Sequence, residues 1–477
     1  MHFDHGASLI VAALLLQLMQ VTPVLRSGAS NVRGSARSKA SVFALSLAAL
    51  ATFASPANAV PSMARQTGYE CARCHTVFPE LTRFGRQFKL GAYAGSSQKW
   101  DARPLLERLP VVAALQISQT NTSNTSAGGA MPSDFPRDRE LLLQTLALYY
   151  GGQITQNSGA LVQYNYDGVE RRWGIEMFDA RYAKGFSIGD KEVTVGVTLN
   201  NSPTVSDIYT STPAWSFPHT GSAAPAMPAS TVVDMMLASQ VGGVTAYGMW
   251  NDLIYAEAGV YRTAARGALR ILGHGVPTDT VLTGNNPYWR LALQRESGKH
   301  SFEVGTYGLR AKIQLDSANA SAGDNLFEDY ALDASYQYIN GDHAFSTHAT
   351  WIHETQRWNA GFASGLTSNA SDSLTTFRAD WHYYFRRKLG GILQYFRTSG
   401  STDTVLYDTG DAVMGSTRGN PDSRGWVGEV NYLPADRIKL AVRYTVFERF
   451  NGASRDYVPG RSASDNDNVF FMAWILF

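Results

Sequence analysis

The sequence predicts an all-β protein: a transmembrane antiparallel β-barrel of about 16 strands, preceded by a small α-helical N-terminal segment. Three observations support this prediction. From residue 111 onward, runs of about ten residues alternate apolar and polar side chains. The connections between these runs are alternately long and short, and the last run ends on the aromatic Phe477. The chain is 12% aromatic and 17% charged, and it has no apolar run long enough for a membrane-spanning helix.

The first 59 residues have the composition of a targeting sequence. An apolar stretch at 41–54 follows three basic residues and precedes Ala57-Asn58-Ala59, which has the A-x-A pattern of a signal-peptide cleavage site. Cleavage after Ala59 removes four positive charges and one negative charge and takes the net charge from +1 to −2, a balance that does not suggest a nucleic-acid partner. A second apolar run at 8–19 indicates a start assigned too early or a long presequence, of which we favour the first.

Both cysteines of the chain lie in the sequence Cys71-Ala72-Arg73-Cys74-His75. Thiols three positions apart can each form a thioether with one porphyrin vinyl group, and the histidine that follows can ligate the iron from the proximal side. The adjoining histidine and the export signal therefore favour one covalently attached haem c. A redox or disulfide C-x-x-C is the alternative, and a zinc site is a weaker one because four ligands are needed.

The haem segment is predicted to be residues 60–110, with a helix between Pro79 and Gly91, because Pro suits the first turn of a helix and Gly its end. Three apolar side chains share one face of this helix at helical spacing: Leu81, Phe84 and Phe88. They can lie on the porphyrin or form a small core. Three basic side chains lie on the other side: Arg83, Arg86 and Lys89. These can pair with haem propionates or face solvent.

The haem segment is too short to enclose a haem alone, since a small domain usually needs roughly 70–80 residues for a self-sufficient core. A barrel of 16 strands leaves an aqueous channel wide enough for a small plug. We therefore expect residues 60–110 to fold into the periplasmic mouth or lumen of a barrel formed by residues 111–477, whose wall completes the haem pocket.

The strands of the barrel are predicted to begin near residues 111, 139, 159, 174, 191, 237, 252, 287, 299, 327, 342, 374, 388, 424, 437 and 468. The short connections include residues 251–252, 296–299, 340–342, 387–388 and 434–436. The long connections include residues 119–138, 202–236, 264–286, 310–326, 355–373, 400–423 and 451–467. Because short turns of bacterial barrels face the periplasm, both chain ends are expected on that side.

The stretch from Ala64 to Leu90 has the pattern A-R-Q-T-G-x-x-C-x-x-C-H-x-x-x-P-x-L-x-x-F-G-R-x-F-K-L. It resembles the outer-membrane cytochrome–porin fusions of iron(II)-oxidising bacteria. Asn200–Val205 and Thr212–Trp215 are also similar to that family, and elsewhere the likeness is one of architecture. The resemblance implies haem c, an outer-membrane location, and electron uptake from extracellular Fe(II) for delivery to a periplasmic cytochrome c or another carrier. The predicted haem surroundings are Arg65, Gln66, Thr67, Phe78, Phe84, Arg86 and Phe88.

The distal ligand of the iron is left open by the sequence. By strand parity, His348 and His382 face the lumen at similar heights on adjacent strands and are predicted to be neighbours. Met63 in the haem segment and Met177 on the fourth strand are further candidates. Five-coordinate iron is the remaining alternative.

The predicted function is that of an Fe(II) oxidoreductase that conducts electrons through the outer membrane, since one haem moves one electron at a time and Fe(II) donates one. The alternatives are a porin-like solute channel with a haem-bearing plug and outward electron transfer to an external acceptor. Acidic side chains of the predicted outer loops, among them Asp403 and Asp411, are interpreted as ordinary loop residues and not as an iron site.

Overall fold

The computed structural model describes residues 62–94, 111–124, 139–168, 171–212, 217–218, 228–237, 241–263, 280–408, 410–411 and 413–476. The predicted targeting sequence, the end of the haem segment and the terminal Phe477 lie outside the described residues. No helix among the described residues is long and apolar enough to cross a bilayer.

The strands form one closed antiparallel barrel in which each strand pairs with its neighbours in sequence and the first pairs with the last. The prediction of a barrel with 16 strands is therefore confirmed, and each strand begins within four residues of its predicted start. The strands are β1 Val111–Thr122, β2 Leu141–Thr155, β3 Ser158–Asp167, β4 Arg172–Ile188, β5 Lys191–Asn200, β6 Val241–Trp250, β7 Ile254–Thr263, β8 Asn286–Ser297, β9 His300–Gln314, β10 Asp324–Asn340, β11 His343–Arg357, β12 Ser371–Phe385, β13 Leu389–Gly400, β14 Ser423–Ala435, β15 Ile438–Arg449 and β16 Asn468–Leu476.

The two faces of each strand have opposite chemistry. On β12, Trp381 and Tyr383 point outward and are 40% and 45% exposed, whereas Asp380 and His382 point inward and are buried. Exposed apolar side chains recur on the outside of the other strands, for example on β5, β8 and β10. A soluble protein buries its apolar face, so an apolar exterior around a polar interior is what a barrel surrounded by lipid requires.

Connections alternate between a short-turn end and a long-loop end of the barrel, as the sequence predicts, with the four-residue connection 168–171 as the exception at the long-loop end. In the turns at Asn251-Asp252 and Arg386-Arg387, both residues have positive φ. This is the backbone of a type I′ turn, whose twist matches that of the paired strands.

Residues 62–94 contain three short helices, α1 Ser62–Thr67, α2 Cys71–Cys74 and α3 Arg83–Leu90, and a fourth helix, α4 Asn359–Ala363, lies in a long loop. The predicted helix begins four residues later than expected. The Thr82 side chain accepts a hydrogen bond from the Gly85 N–H and so caps the first turn, while Pro79 lies in the turn before it. Gly91 ends α3 as predicted.

Helix α3 docks on the inner wall near the short-turn end of the barrel. The Arg86 guanidinium lies 2.6 Å from the Glu296 carboxylate at the end of β8, and Arg83 lies 2.7 Å from Asp252 in the β6–β7 turn. The Lys89 ammonium donates to the main-chain carbonyls of Val205 and Asp207, both at 2.7 Å. The expectation of a solvated basic face is therefore wrong for Arg86 and Lys89, which are 7% and 4% exposed, and correct for Arg83.

The connection between β5 and β6 folds into the lumen, and we name its described part, residues 201–212, 217–218 and 228–237, the lumen loop. The Asp207 carboxylate accepts hydrogen bonds from the N–H groups of Tyr209, Ser211 and Thr212, which closes the loop on itself. The Ser211 hydroxyl donates to Asp333 on β10. The prediction of an outer loop over 202–236 is therefore wrong in placement, because the inward polar groups of the wall bind this loop.

Candidate functional site

The proposed attachment sequence forms a single helical turn. Helix α2 carries Cys71 and Cys74, and the His75 N–H closes the turn by donating to the Cys71 carbonyl at 2.9 Å. Both thiols are free and half-buried, and burial is the main cause that raises the pKa of each. A raised pKa disfavours the thiolate form of both cysteines, and it does not distinguish haem attachment from the redox and zinc alternatives.

The His75 side chain is held by its surroundings. Its Nδ1 lies 3.3 Å from the Pro79 carbonyl oxygen, which leaves Nε2 as the nitrogen that can ligate a metal. Burial lowers the pKa of His75 and so favours the neutral imidazole, the form that binds metals. The Phe78 ring packs edge-on against His75 at a centroid distance of 5.4 Å and against Trp474 of β16 at 4.9 Å.

Helices α2 and α3 cross closely at Gly85. A Cβ atom at this position would lie 2.2 Å from the Cys74 carbonyl oxygen, so any other residue would push the two helices apart. Next to this crossing, the Arg73 guanidinium lies between the rings of Tyr69 and Phe84, at 4.7 and 4.5 Å from their centroids. The close crossing fixes the direction of the turn that carries both thiols.

Gln66 is the predicted haem neighbour that joins the first helix of the segment to the barrel wall. The Gln66 amide donates to the Gly151 carbonyl on β2, and its oxygen accepts from the Gln153 N–H. Thr67 donates to the Met63 carbonyl within α1. The side chain of Arg65 lies outside the described part of the chain.

Two more of the predicted haem neighbours, Phe88 and Arg86, contact other residues of the protein. Phe88 is buried and contacts Tyr93 at 6.2 Å between ring centroids. Arg86 also donates to Ser301, in addition to its pair with Glu296. Roles in haem binding for these residues stay predictions.

Trp474 was not among the residues predicted from the sequence. Trp474 of β16 is buried, and among the described residues its indole Nε1 has no hydrogen-bond partner. The alternation along β16 places Trp474 on the lumen side, but nothing local indicates that it contacts Phe78. The two thiols, the oriented imidazole, the Gly85 crossing and this buried donor together fit a covalently attached haem with a polar edge.

A second cluster joins the haem segment to the wall. His348 of β11 and His382 of β12 are buried neighbours with ring centroids 5.6 Å apart, as strand parity predicts. Asp380, which lies opposite His348 across the two strands, contacts both rings: its Oδ1 is 2.7 Å from His348 Nδ1 and 3.0 Å from His382 Nε2.

Glu80 of the haem segment closes this cluster from the other side. Its carboxylate lies 3.5 Å from His348 Nε2 and 3.8 Å from His382 Nδ1, and it accepts a hydrogen bond of 2.6 Å from Thr76. Burial raises the pKa of Glu80, but the nearby imidazoles of His382 and His348 outweigh it and hold the pKa well below its usual range. Sequence alone could not find Glu80, because its partners lie more than 250 residues away along the chain.

The distal-ligand candidates therefore occupy different environments. Both ring nitrogens of His348 and of His382 face carboxylates. By contrast, Met63 lies against Gly151 of β2, and Met177 of β4 lies opposite Gln163 of β3. None of these contacts tests ligation of a haem iron, so the four assignments stay predictions.

A small cavity continues from this cluster toward the long-loop end. Its lining consists of Ser211, Asp234, Thr350, Ile352, Thr376, Arg378 and Asp380. Asp380 lies at the end nearest the haem segment, and the ion pair of Arg378 with Asp234, at 2.7 Å, lies on the long-loop side. The cavity thus connects the histidines with the region of the lumen loop.

A buried network around Arg290 of β8 anchors the lumen loop. Its guanidinium pairs with Asp333 of β10, lies 3.2 Å from Glu303 of β9 and 3.7 Å from Asp207 of the loop, and contacts the Ser211 hydroxyl at 3.3 Å. All four charged side chains are at most 3% exposed. One cation thus holds three carboxylates from two strands and the loop together.

The acidic outer-loop residues have structural roles. The Asp403 carboxylate accepts hydrogen bonds from the N–H groups of Ser368, Asn369 and Leu406. Burial raises the pKa of Asp403, but these backbone hydrogen bonds outweigh it and lower the pKa to about 2. Asp411 likewise accepts from the N–H groups that follow it. The interpretation of both as solvated loop residues is therefore wrong for Asp403, which is buried, and correct for Asp411, which is exposed.

Lys89 makes a pH-dependent contribution to stability that can be measured. Burial and the nearby Arg181 charge lower its pKa to about 7, against the opposing influence of Asp179, Asp207 and Glu257. Between pH 7 and 10.5, the unfolded chain binds a proton at Lys89 that the folded chain does not. The free energy of unfolding should therefore rise with pH across this window, and Lys89→Met should flatten that rise.

The measurement is thermal unfolding followed by circular dichroism at several pH values between 7 and 10. Arg83→Met, which removes an exposed cation from the same helix, serves as the matched control. An identical pH slope in wild-type protein and Lys89→Met would contradict this account.

Comparison with known proteins identifies no family for this chain. No model of a protein family matches the chain, and no curated protein sequence matches it. Among solved structures, OmpF of Salmonella typhi in complex with daunomycin is similar at 12% identity and a TM-score of 0.44, covering 77% of this chain and 97% of that one. In-vitro folded OmpT of Vibrio cholerae has 10% identity and a TM-score of 0.40, covering 77% and 96%. The channel DcaP of Acinetobacter baumannii has 12% identity and a TM-score of 0.41, with the same coverage as OmpT.

Proposed function

We propose that this protein is an outer-membrane conduit that takes electrons from extracellular Fe(II) and passes them through one haem c to a periplasmic carrier. The observation that carries the proposal is the single turn bearing Cys71, Cys74 and an oriented His75, docked inside a barrel whose exterior is apolar. When bound, haem c supplies one centre that gains and loses a single electron.

The apolar exterior of the barrel and its short turns support the proposed outer-membrane location. Its apolar exterior suits a lipid bilayer, and barrels of this kind with short turns at one end are characteristic of bacterial outer membranes, where those turns face the periplasm. Helix α3 contacts the barrel near the short-turn end, at Asp252 and Glu296. In this orientation the haem segment is on the side where a periplasmic electron carrier can approach.

The chain's own residues would hold the group as follows. Cys71 and Cys74 provide the thioether sulfurs, and His75 provides the proximal nitrogen, oriented by the Pro79 carbonyl. Phe78 and Trp474 form an aromatic wall beside His75, and they would exclude water from that side. The Trp474 indole N–H offers a hydrogen-bond donor to a polar edge of the haem.

The filled interior favours electron transfer over free solute passage. The lumen loop crosses the inside of the barrel and is fastened by Arg290, and residues 62–94 occupy the short-turn end. A porin-like channel with a haem-bearing plug is the second candidate, and the barrel of 16 strands, a size that leaves an aqueous channel, is the feature that favours it. Electron flow outward to an external acceptor shares the same geometry.

Stopped-flow spectroscopy of the purified protein separates the three functions. We expect anaerobic Fe(II) to reduce the oxidised haem rapidly, because the donor and the haem each exchange one electron. Solute flux is measured in parallel in liposomes. Failure of Fe(II) to reduce the haem, together with measurable solute flux, would favour the channel. Oxidation of the reduced haem by an external acceptor, without reduction by Fe(II), would favour outward transfer.

A further inference from the structure

We infer that His348, Asp380 and His382 form a binding site for a divalent transition metal in the barrel wall, with Glu80 facing the opposite ring nitrogens of both histidines. The site is distinct from the Cys71, Cys74 and His75 turn. That Fe(II) is its natural occupant rests on the proposed function, whereas the existence of the metal site does not.

The geometry is that of a compact ligand set. One ligand atom from each of His348, Asp380 and His382 lies within 4.8 Å of the others, and all three side chains are buried. Two ligands that bind one metal at about 2.0–2.2 Å lie roughly 3 Å apart, close to the Asp380 distances of 2.7 and 3.0 Å. Small side-chain rotations would therefore suffice to bind an ion.

The donor types select the metal. Two imidazoles and one carboxylate are the ligands typical of Fe(II), Co(II) and Zn(II), whereas Ca²⁺ and Mg²⁺ prefer oxygen ligands alone. Binding of the ion would displace the protons from the two imidazole nitrogens that become ligands. The charges of Asp380 and Glu80 would then balance that of a divalent ion. Burial makes this balance important, because an uncompensated charge is costly away from water.

The site is built on rigid elements. His348 and Asp380 lie directly opposite each other on β11 and β12, so the strand register fixes their separation. The Phe217 ring of the lumen loop packs edge-on against His382 at 5.6 Å. Thr76 orients the Glu80 carboxylate through its hydrogen bond of 2.6 Å.

A small cavity lies beside the site on its long-loop side. Its lining includes Asp234, Arg378 and Asp380, and Asp380 is one of the three ligands. At the other end of the site, Glu80 directly follows Pro79, whose carbonyl contacts His75. An ion bound here therefore lies beside the segment that carries the proposed haem, on the side that faces the cavity.

The test uses Co(II), which resembles Fe(II) in ligand preference and is not consumed by haem reduction. The full-length haem protein is purified in detergent, freed of loose metal with a chelator, and titrated with Co(II) chloride by calorimetry. Cobalt is then counted by elemental analysis after desalting. We expect about one Co(II) per chain, and at least about tenfold weaker binding in His348→Ala and His382→Ala.

His353→Ala is the matched control. It removes a histidine from the same strand, but His353 stacks on Trp351 and lies on the opposite face of β11. Its cobalt binding should equal that of the wild type. No stoichiometric cobalt in wild-type protein, or equal binding in His348→Ala and His353→Ala, would overturn the inference.

Two further measurements keep the test decisive. If the alanine variants fail to fold, X-ray absorption of cobalt bound to wild-type protein decides, because imidazole ligands must be present for the inference to stand. Haem reduction by Fe(II) separates the two proposals. Cobalt uptake without haem reduction would support the metal site and contradict the proposed function. Haem reduction without cobalt uptake would support the proposed function and contradict the metal site.

Discussion

Replacing Cys71 or Cys74 by Ala is expected to abolish normal haem attachment, because each thiol supplies one of the two covalent links. His75→Ala should cripple the haem, because the imidazole that Pro79 orients is the proposed proximal ligand. Haem content is measured by haem staining of denaturing gels and by visible absorbance per mole of protein. Arg73→Lys, in the same helical turn, keeps the thiols and the imidazole and should keep the haem.

The result for the histidine decides the proximal assignment. A His75→Ala protein with normal haem staining and an unchanged visible spectrum would rule it out. The same spectra address the distal position. If His348 or His382 ligates the iron, its replacement by Ala shifts the visible spectrum and the midpoint potential, and unchanged values in both variants exclude these two ligands. If they bind a separate metal, haem attachment and spectrum should remain those of the wild type.

Arg290→Met is expected to cost about 3–5 kcal/mol of the free energy of unfolding, because it leaves Asp333, Glu303 and Asp207 buried without their cation. The variant should also free the lumen loop, which Arg290 holds through Asp207 and Ser211. Denaturant unfolding measures the first effect, and conductance in planar bilayers, which should increase, measures the second.

Arg310→Met is the matched control. Arg310 pairs with Glu328 at 3.3 Å, but it is half exposed, and exposed pairs contribute about 0–1 kcal/mol. Equal stability losses in the two variants would show that the buried network does not hold the loop.

Local periodicity was sufficient to predict the strands. Alternation of side chains places Trp381 outside and His382 inside, and a residue's face then follows from counting along the strand. The regular alternation of short and long connections then distinguished a transmembrane barrel from a soluble sandwich. The pairing of His348 with His382 also followed, because parity and height along the strand depend only on counting residues from a turn.

Two kinds of contact account for the predictions that were wrong. The first is local: the Thr82 side chain caps the first turn of α3, so the helix begins at Arg83 and not at Pro79. The second is long-range. Arg86 and Lys89 were expected at the surface or on a haem, yet Glu296 and the Val205 carbonyl bind them inside the barrel. The sequence could not predict these partners because they lie more than 100 residues away.

The sequence by itself determined the class of fold, the number of strands, the C-x-x-C-H turn and the face on which each strand residue lies. Each of these depends on contacts between residues close in sequence or on the two-residue period with which side chains alternate along a strand. Only the tertiary structure decided that the lumen loop turns inward and that Glu80 meets His348 and His382. Barrel closure brings distant inward-facing charges into one lumen of low water content, and there the need to pair each buried charge selects the partners.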